Sequence, residues 1–283
     1  MNTNNNVYTV VYTTVIVVLV AAILAVVSQS LKSRQEANEK AETISQMLTA
    51  AGFGTKAEFG KMGNAAVIAK YVEEIGDAYT IDITGKMVDS LSTQDAQIYT
   101  PAMLKKQNYI LKGAQEGTPS LPVFEFKNGI TVVPVYGAGL WGPIWGYIAF
   151  NMPHEGTISI AGAYFDHESE TAGLGSKIKD DPAFQSQFIG EIPDFTSDNV
   201  FEIVKGGSPL DEEGGEIMDG KVDAITGATM TSQGLDKAID TWLQAYSQHF
   251  QALIAVDTIF EVLTSSEAEI SEPVIEIEDQ EEE

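Results

Sequence analysis

The chain has 283 residues, a length suited to one or two domains, and 44% of them are hydrophobic, enough for a sizeable core. With 41 acidic against 16 basic residues the formal charge is −25, which repels phosphate backbones and excludes nucleic acid as a partner. Cysteine is absent, which excludes disulfides, thiolate catalysis and cysteine-held zinc or iron–sulfur centres within the chain, so any redox centre has to be a borrowed cofactor.

Residues 1–6 form a short polar tail, and residues 7–28 are uncharged and rich in Val, Leu, Ile and Ala. As a helix that segment would extend about 33 Å, enough to span a bilayer. The tail has no basic residue, the apolar run is long and no small-x-small cleavage site follows, so it reads as an uncleaved anchor rather than a signal peptide. Lys32, Arg34 and Lys40 follow it and would hold the C-terminal side in the cytoplasm by the positive-inside rule, but Glu36, Glu39 and Glu42 are interleaved with them. Residues 29–53 read as a stalk whose helix, 30–51, carries Ala37, Ala41, Ile44, Met47 and Leu48 toward one side and stops at Gly52.

The soluble domain is expected over 54–264. A glycine-punctuated connection over 54–63 leads to a helix over 65–75, with Val67, Ile68, Tyr71, Val72 and Ile75 on one face, and then a short strand over 79–83. Residues 86–118 carry no decisive pattern. Strands over 123–127 and 130–136 flank Asn128-Gly129, the strongest short hairpin signal, because both residues tolerate positive φ. Two more strands, 145–151 and 157–164, are joined by a Pro-His-Glu-Gly turn and continue an antiparallel meander.

Between the second and third of these strands lies Gly137-Ala138-Gly139-Leu140-Trp141-Gly142; no helix follows it, so a dinucleotide-binding turn is rejected. After the fourth comes the polar loop His167 to Gly175, ending in glycines that allow close backbone approach to a ring system. Asp181-Pro182 starts a short helix with Phe184 and Phe188 on one face, and 200–204 is a further strand. A Gly/Asp/Glu loop over 208–220 follows. The soluble part is α+β, an antiparallel sheet with packed helices behind a single N-terminal transmembrane helix.

Asp223-Ala224-Ile225-Thr226-Gly227-Ala228-Thr229-Met230-Thr231-Ser232 then opens into a helix whose apolar face is Leu235, Ala238, Ile239, Trp242, Leu243 and Tyr246. Ser232 or Thr231 is expected to cap it. On spacing alone two readings stand: a plain cap, or an anion cradle in which a helix N-terminus and threonine hydroxyls receive a phosphate.

Asp223, Thr226, Gly227, Ala228, Thr229, Thr231 and Ser232 resemble the D-x-x-[ST]-G-A-T-x-T-S motif of proteins that carry FMN as a phosphoester on threonine. With Tyr136 to Trp141, Glu170-Thr171-Ala172-Gly173-Leu174-Gly175, the Phe184/Phe188 helix and the anchor, residues 7–255 resemble the singly anchored, FMN-carrying subunit family of sodium-translocating NADH:quinone oxidoreductases. The related flavoprotein subunits of Rnf electron-transport complexes share anchor, fold and motif, but the Gly-Leu-Trp loop is closer to the first family. One departure is Ala172, where these families commonly have proline.

The resemblance implies covalent FMN on Thr229, delivered from FAD by a flavin transferase, with Thr229 as attachment residue and no catalytic residue in the chain itself. It implies cofactor-binding roles for Asp223, Thr226, Gly227, Ala228 and Thr231, for Leu140 and Trp141, and for Glu170, Thr171, Leu174 and Gly175. Lys205 joins them because a cation there would offset the phosphate or the reduced flavin, the alternative being a solvated lysine after a strand. The implied function is an electron relay among the other subunits of a translocase in the bacterial inner membrane, between NADH and a quinone such as ubiquinone, whose sites lie outside this chain. The family places the flavin domain on the periplasmic face, against the weak charge signal after the anchor. The alternative is a non-redox anchored domain that binds an anionic ligand or partner at the same helix terminus.

His154, His167 and His249 are scattered and read as turn, loop and surface residues, with no metal site. Trp145 reads as core. Residues 265–283 hold nine Asp or Glu and no base, and read as an acidic disordered tail.

Overall fold

The computed structural model describes residues 6–206 and 217–270, with side chains described through residue 260. Helix α1 (Asn6–Ala50) joins the expected anchor and stalk into one element, because nothing between Ser28 and Arg34 breaks a helix. Its apolar side chains are exposed from Val7 to Leu31, and burial begins at Ala41. By length and composition it is long and apolar enough to cross a membrane. At its other end Gly52 takes φ 77°, so that Phe53 N–H donates to Leu48 O at 2.9 Å and Gly52 N–H to Thr49 O at 3.1 Å, the reciprocal closure that a glycine at this position permits.

Helices α2 (Lys56–Phe59) and α3 (Asn64–Glu74) follow, the first held by a reciprocal cap between Thr55 and Glu58. The sheet is six-stranded, in the order β2-β1-β3-β4-β5-β6, with every neighbouring pair antiparallel. Its strands are β1 (Ile75–Ile81), β2 (Met87–Ser90), β3 (Leu121–Phe126), β4 (Thr131–Ala138), β5 (Pro143–Phe150) and β6 (Ile160–His167). The β3–β4 turn is the expected Asn-Gly, with Gly129 at φ 84°.

Helices cover both faces. Val132, Tyr147, Ala149 and Tyr164 pack with Ile44, Met47 and Tyr71 of α1 and α3. Val133, Ile148, Phe150 and Phe165 face the other way, onto Leu104 of α4 (Pro101–Leu111) and Leu235, Trp242 and Tyr246 of α7 (Thr229–Ile270). With two buried faces the strands read as continuous apolar runs rather than alternating ones. α4 falls in the stretch without a decisive pattern; its buried residues are Leu104, Gln107 and Asn108, so two of the three are polar and no apolar stripe marks it.

Helix α5 (Lys177–Asp180) precedes α6 (Pro182–Ser186), where Asp181 accepts from Ala183 N–H at 3.0 Å. Phe184 and Phe188 lie on Phe165, with ring centroids 6.3 and 5.0 Å away. Strand β7 (Glu202–Val204) pairs with β8 (Lys221–Asp223) in parallel, a pairing between segments far apart in the chain that local pattern does not reveal. His249 is 9% exposed beneath the sheet, edge-on to Tyr79, rather than on the surface, and burial pushes its pKa down. Helix α7 continues through residues 265–270 of the expected tail, while 271–283 lie outside the described residues.

α7 runs antiparallel to β4, and glycines let the two backbones approach. A Cβ on Gly137 would meet Ala238 Cβ at 2.5 Å, and one on Gly234 would meet Ala138 O at 2.3 Å. Farther along, Trp242 Nε1 donates to Tyr136 O at 2.9 Å and Tyr246 Oη to Pro122 O at 2.8 Å, so both aromatic side chains are fully buried with their polar atoms satisfied. α1 enters beside Pro143, Trp145 and Glu168, with Glu39 and Glu42 in a shared groove, and leaves where Ala50 O rests on Gly162. Its apolar segment therefore extends from the end of the sheet where β5 begins and β6 ends, the end at which α7 starts.

Candidate functional site

At that end three segments converge: the β4–β5 loop 139–142, the stretch 168–176 after β6, and residues 224–231 leading into α7. Glu170 ties them together. It is 8% exposed, its Oε1 accepts from Trp141 N–H at 2.9 Å, and its Oε2 accepts from the Thr231 hydroxyl at 2.6 Å. Ser169 adds a bond from its hydroxyl to Trp141 O at 2.8 Å. Glu170 N–H donates to His167 Nδ1 at 3.2 Å, which assigns the proton of a neutral ring to Nε2. Glycine is required here by space: a Cβ on Gly139 or Gly175 would come within 2.4 Å of a Glu170 carboxylate oxygen. Beyond Glu170 the chain closes into a turn, with Leu174 and Ser176 N–H both donating to Thr171 O at 3.1 Å and Gly173 at φ 74°.

The third segment leaves β8 at Asp223, and Ala224 N–H donates to Val204 O at 2.7 Å. Gly227 takes φ 83°, the left-handed turn that a Cβ disfavours, and faces Leu174. α7 begins at Thr229, so the residue in the capping position is Ala228, which has no side-chain acceptor. The expected capping by Ser232 or Thr231 does not occur, because both lie within the first turn. Ser232 Oγ instead accepts from Ile225 N–H at 3.1 Å, and Thr231 serves Glu170. Among the described residues no group accepts from the backbone N–H of Thr229, Met230 or Thr231. This helix start has free donors and the positive end of the dipole, the arrangement that receives an anion.

Helix geometry sorts the hydroxyls. At about 100° per residue, Thr229 and Thr231 point roughly 200° apart. With Thr231 turned inward and 1% exposed, Thr229 is turned outward and is exposed. Around it Leu140, Trp141, Leu174 and Met230 are 50, 64, 44 and 57% exposed, an apolar ledge rather than a closed cavity.

The expected site residues divide accordingly. Leu140, Trp141, Thr171, Leu174, Thr226, Gly227 and Thr229 are at the surface of the ledge. Glu170, Gly175, Ala228 and Thr231 are buried behind it and act as its support. Asp223 is half-buried; its N–H donates to Gln187 Oε1 at 2.8 Å, and its Oδ1 has no hydrogen-bond partner among the described residues. Lys205 is exposed one residue past β7, whose last residue pairs with Asp223, so it flanks the motif without a polar contact to it among the described residues. β7 is itself held by α7: Asp236 accepts from Ile203 N–H at 2.7 Å and Asp240 from Val200 N–H at 3.0 Å, and burial raises both carboxyl pKa values. Trp145 is half-buried, with Nε1 donating to Gln46 Oε1 at 3.1 Å. Two features were not expected from sequence: Met230, whose only signal is its place inside the motif, and the inward duties of Thr231 and Ser232. Among the described residues no group of three or more His, Asp or Glu is placed to hold a metal.

The FMN-binding domain family matches residues 139–244, the span from the glycine loop to the middle of α7. Over 235 residues the chain is 28% identical to NqrC of Vibrio vulnificus, a Na(+)-translocating NADH-quinone reductase subunit, covering 78% of this chain and 84% of that one. The corresponding Na(+)-translocating NADH-quinone reductase subunit of Pseudomonas aeruginosa is 27% identical over 240 residues, at the same coverages. The crystal structure of the same subunit from Parabacteroides distasonis superposes with a TM-score of 0.56 at 26% identity, covering 79% of this chain and 96% of that one. That of Shewanella oneidensis NqrC, at 24% identity and TM-score 0.53, covers 79% and 99% and shares the fold.

Proposed function

Since the chain belongs to the NqrC family of Na(+)-translocating NADH-quinone reductase subunits and is a flavoprotein subunit of that kind, we propose that its FMN is a phosphoester on Thr229. The observation that carries this reading is the first turn of α7: an outward hydroxyl, three N–H groups without partners among the described residues, and an apolar ledge alongside. When bound, FMN supplies reversible electron transfer. Attachment is a single displacement supported by a separate flavin transferase. Thr229 Oγ forms a bond to the FMN phosphorus of FAD, the pyrophosphate bond breaks, AMP leaves, and the hydroxyl proton passes to a base of the transferase.

The chain's own residues then hold and tune. The N–H groups of Thr229, Met230 and Thr231 would receive phosphate oxygens, and Lys205 would offset their charge. Trp141, Leu140, Leu174 and Met230 would offer flat or flexible apolar surface to the ring, and Thr171, Thr226 and Gly227 would flank it. Asp223, Glu170, Gly175, Ala228 and Thr231 act from behind. No NADH or quinone site is assigned to this chain; electrons come from and go to other subunits.

The proposal places residues 7–28 in the bilayer, 29–53 as a stalk, 54–264 as the flavin domain and 265–283 as an acidic tail, with the domain in the periplasm. The direction of α1 supports the anchor and stalk, and the periplasmic side is what the family resemblance implies. From Glu39, beside the site end of the sheet, back to Ser28 is about 16 Å of helix, which puts the ledge within roughly three turns of the apolar span. After coexpression with a flavin transferase, the full-length chain is expected to run as a flavin-fluorescent band on a denaturing gel. A band that is colourless and non-fluorescent under those conditions would support the non-redox alternative. Protease added to spheroplasts is expected to digest the domain; protection until the inner membrane is broken would overturn the periplasmic placement.

A further inference from the structure

We infer that Glu170 is a positioning residue: its carboxylate latches the 139–142 loop and the 170–175 segment to the first turn of α7 and thereby fixes the direction in which the Thr229 hydroxyl faces. The inference rests on the reading of Thr229 as the attachment residue and adds what aims it. By family resemblance Glu170 would be a flavin-side contact, but both of its oxygens are spent inside the protein, on Trp141 N–H at 2.9 Å and on the Thr231 hydroxyl at 2.6 Å. They are also walled in, since a Cβ on Gly139 would stand 2.4 Å from Oε1 and one on Gly175 would stand 2.4 Å from Oε2. Among the described residues no cation forms an ion pair with it. A carboxylate taken out of water and held by two neutral donors is costly to place, so its value lies in what the two bonds connect.

The two loops are also tied to each other by the Ser169 hydroxyl on Trp141 O, but their side-chain link to the helix is single. Among the described residues, the Glu170–Thr231 bond is the only side-chain hydrogen bond from either loop to α7. A helix without a side-chain cap is free to fray or rotate in its first turn. Pinning Thr231 inward removes that freedom, and Thr229, roughly 200° away around the helix, is then held outward. The same carboxylate positions Trp141 through its backbone, so the ledge and the attachment hydroxyl share one latch.

Reach, rather than charge, is what such a latch requires, and the two can be separated in the full chain. Glu170→Gln keeps the length: its amide oxygen accepts from Trp141 N–H while its NH2 donates to Thr231, whose hydroxyl reverses to accept. Glu170→Asp keeps the charge and is one methylene short, leaving one of the two donors unpaired. With transferase and FAD in excess, the rate of FMN addition is expected to stay near wild type in Glu170→Gln. It should fall about tenfold in Glu170→Asp and in Thr231→Val, with rescue by Thr231→Ser. Amide hydrogen exchange over 139–142 and 170–175, measured without flavin, is expected to rise in Glu170→Asp and not in Glu170→Gln, while cooperative melting of each variant shows that the domain is folded. Equal FMN addition in the Asp and Gln variants, or retention by Asp with loss by Gln, overturns the inference; so does raised exchange in the Asp variant with an unchanged FMN rate. A wild-type chain that gains no FMN, with exchange behaving as expected, overturns Thr229 as the attachment residue and leaves the latch standing.

Discussion

The first turn of α7 and the body of the same helix follow opposite rules. In the body, Trp242 and Tyr246 are fully buried and each places its polar atom on a carbonyl. In the first turn the N–H groups of residues 229–231 have no partner among the described residues, no side chain caps them, and Met230 is 57% exposed. One end contributes stability through packing, and the other leaves hydrogen-bonding capacity unspent. What joins them is the close approach at Gly137 and Gly234, which lets a rigid helix present an open end beside the sheet. Affinity for an anion depends on that unspent capacity, so a site built this way is maintained by the stability of the rest of its helix.

Changes in the two regions should therefore separate function from folding. The largest functional effect belongs to Thr229→Val, which keeps the branched shape but removes the hydroxyl. Covalent FMN should disappear, while urea unfolding shifts by no more than about 0.5 kcal/mol, as for other exposed positions. The largest stability effect belongs to Trp242→Ala, which empties a core site and takes the donor from Tyr136 O. A loss of about 3–5 kcal/mol in urea unfolding is expected, with FMN still attached to whatever fraction is folded. A Thr229→Val chain that unfolds, or a Trp242→Ala chain as stable as wild type, would erase the contrast.

Thr231→Val belongs to both regions, because its hydroxyl is in the first turn but buried. Left without that donor, Glu170 Oε2 is expected to cost about 1–3 kcal/mol in urea unfolding, more than an exposed cap substitution would.

The smallest effect concerns the helix middle. Burial raises the Asp236 and Asp240 carboxyls above their ordinary value, so the folded chain binds protons there that the unfolded chain does not. Their contribution is fully present below the unfolded pKa of about 3.9 and is lost as pH rises through the raised folded value. Asp236→Asn, which keeps an acceptor for Ile203 N–H, should raise stability slightly at neutral pH and flatten this part of the pH profile. Thermal melting from pH 4 to 7 checks it.

What was legible in the chain was mostly local. The Asn128-Gly129 turn, the Gly52 helix stop, Asp181 as a cap and the apolar face of α7 each depend on a few neighbouring residues, and each stands where expected. α4 was not legible because two of its buried residues are Gln107 and Asn108. The β7–β8 pair was not, because a parallel pairing across a long connection leaves no periodic trace. At the site, the motif pointed to the loop that opens α7, but which hydroxyl faces out depends on where α7 begins. Spacing suggested Thr231 or Ser232 as the cap; the helix begins at Thr229 with Ala228 in the capping position, and that shift of three or four residues turns Thr231 from a cap into a buried partner of Glu170. Glu170 itself carries no sequence mark that it points inward; only the three-dimensional closeness of Gly139 and Gly175 reveals it.

The central claim, that Thr229 carries the flavin, is most directly tested by mapping the tryptic peptide of residues 222–237, which lies between Lys221 and Lys237 and contains Thr226, Thr229, Thr231 and Ser232. After coexpression with a flavin transferase, its mass should increase by one FMN phosphoester. Fragment ions should place the addition on Thr229 alone. The same mass on Thr226, Thr231 or Ser232, or an unmodified peptide from a chain that is otherwise folded, would contradict it.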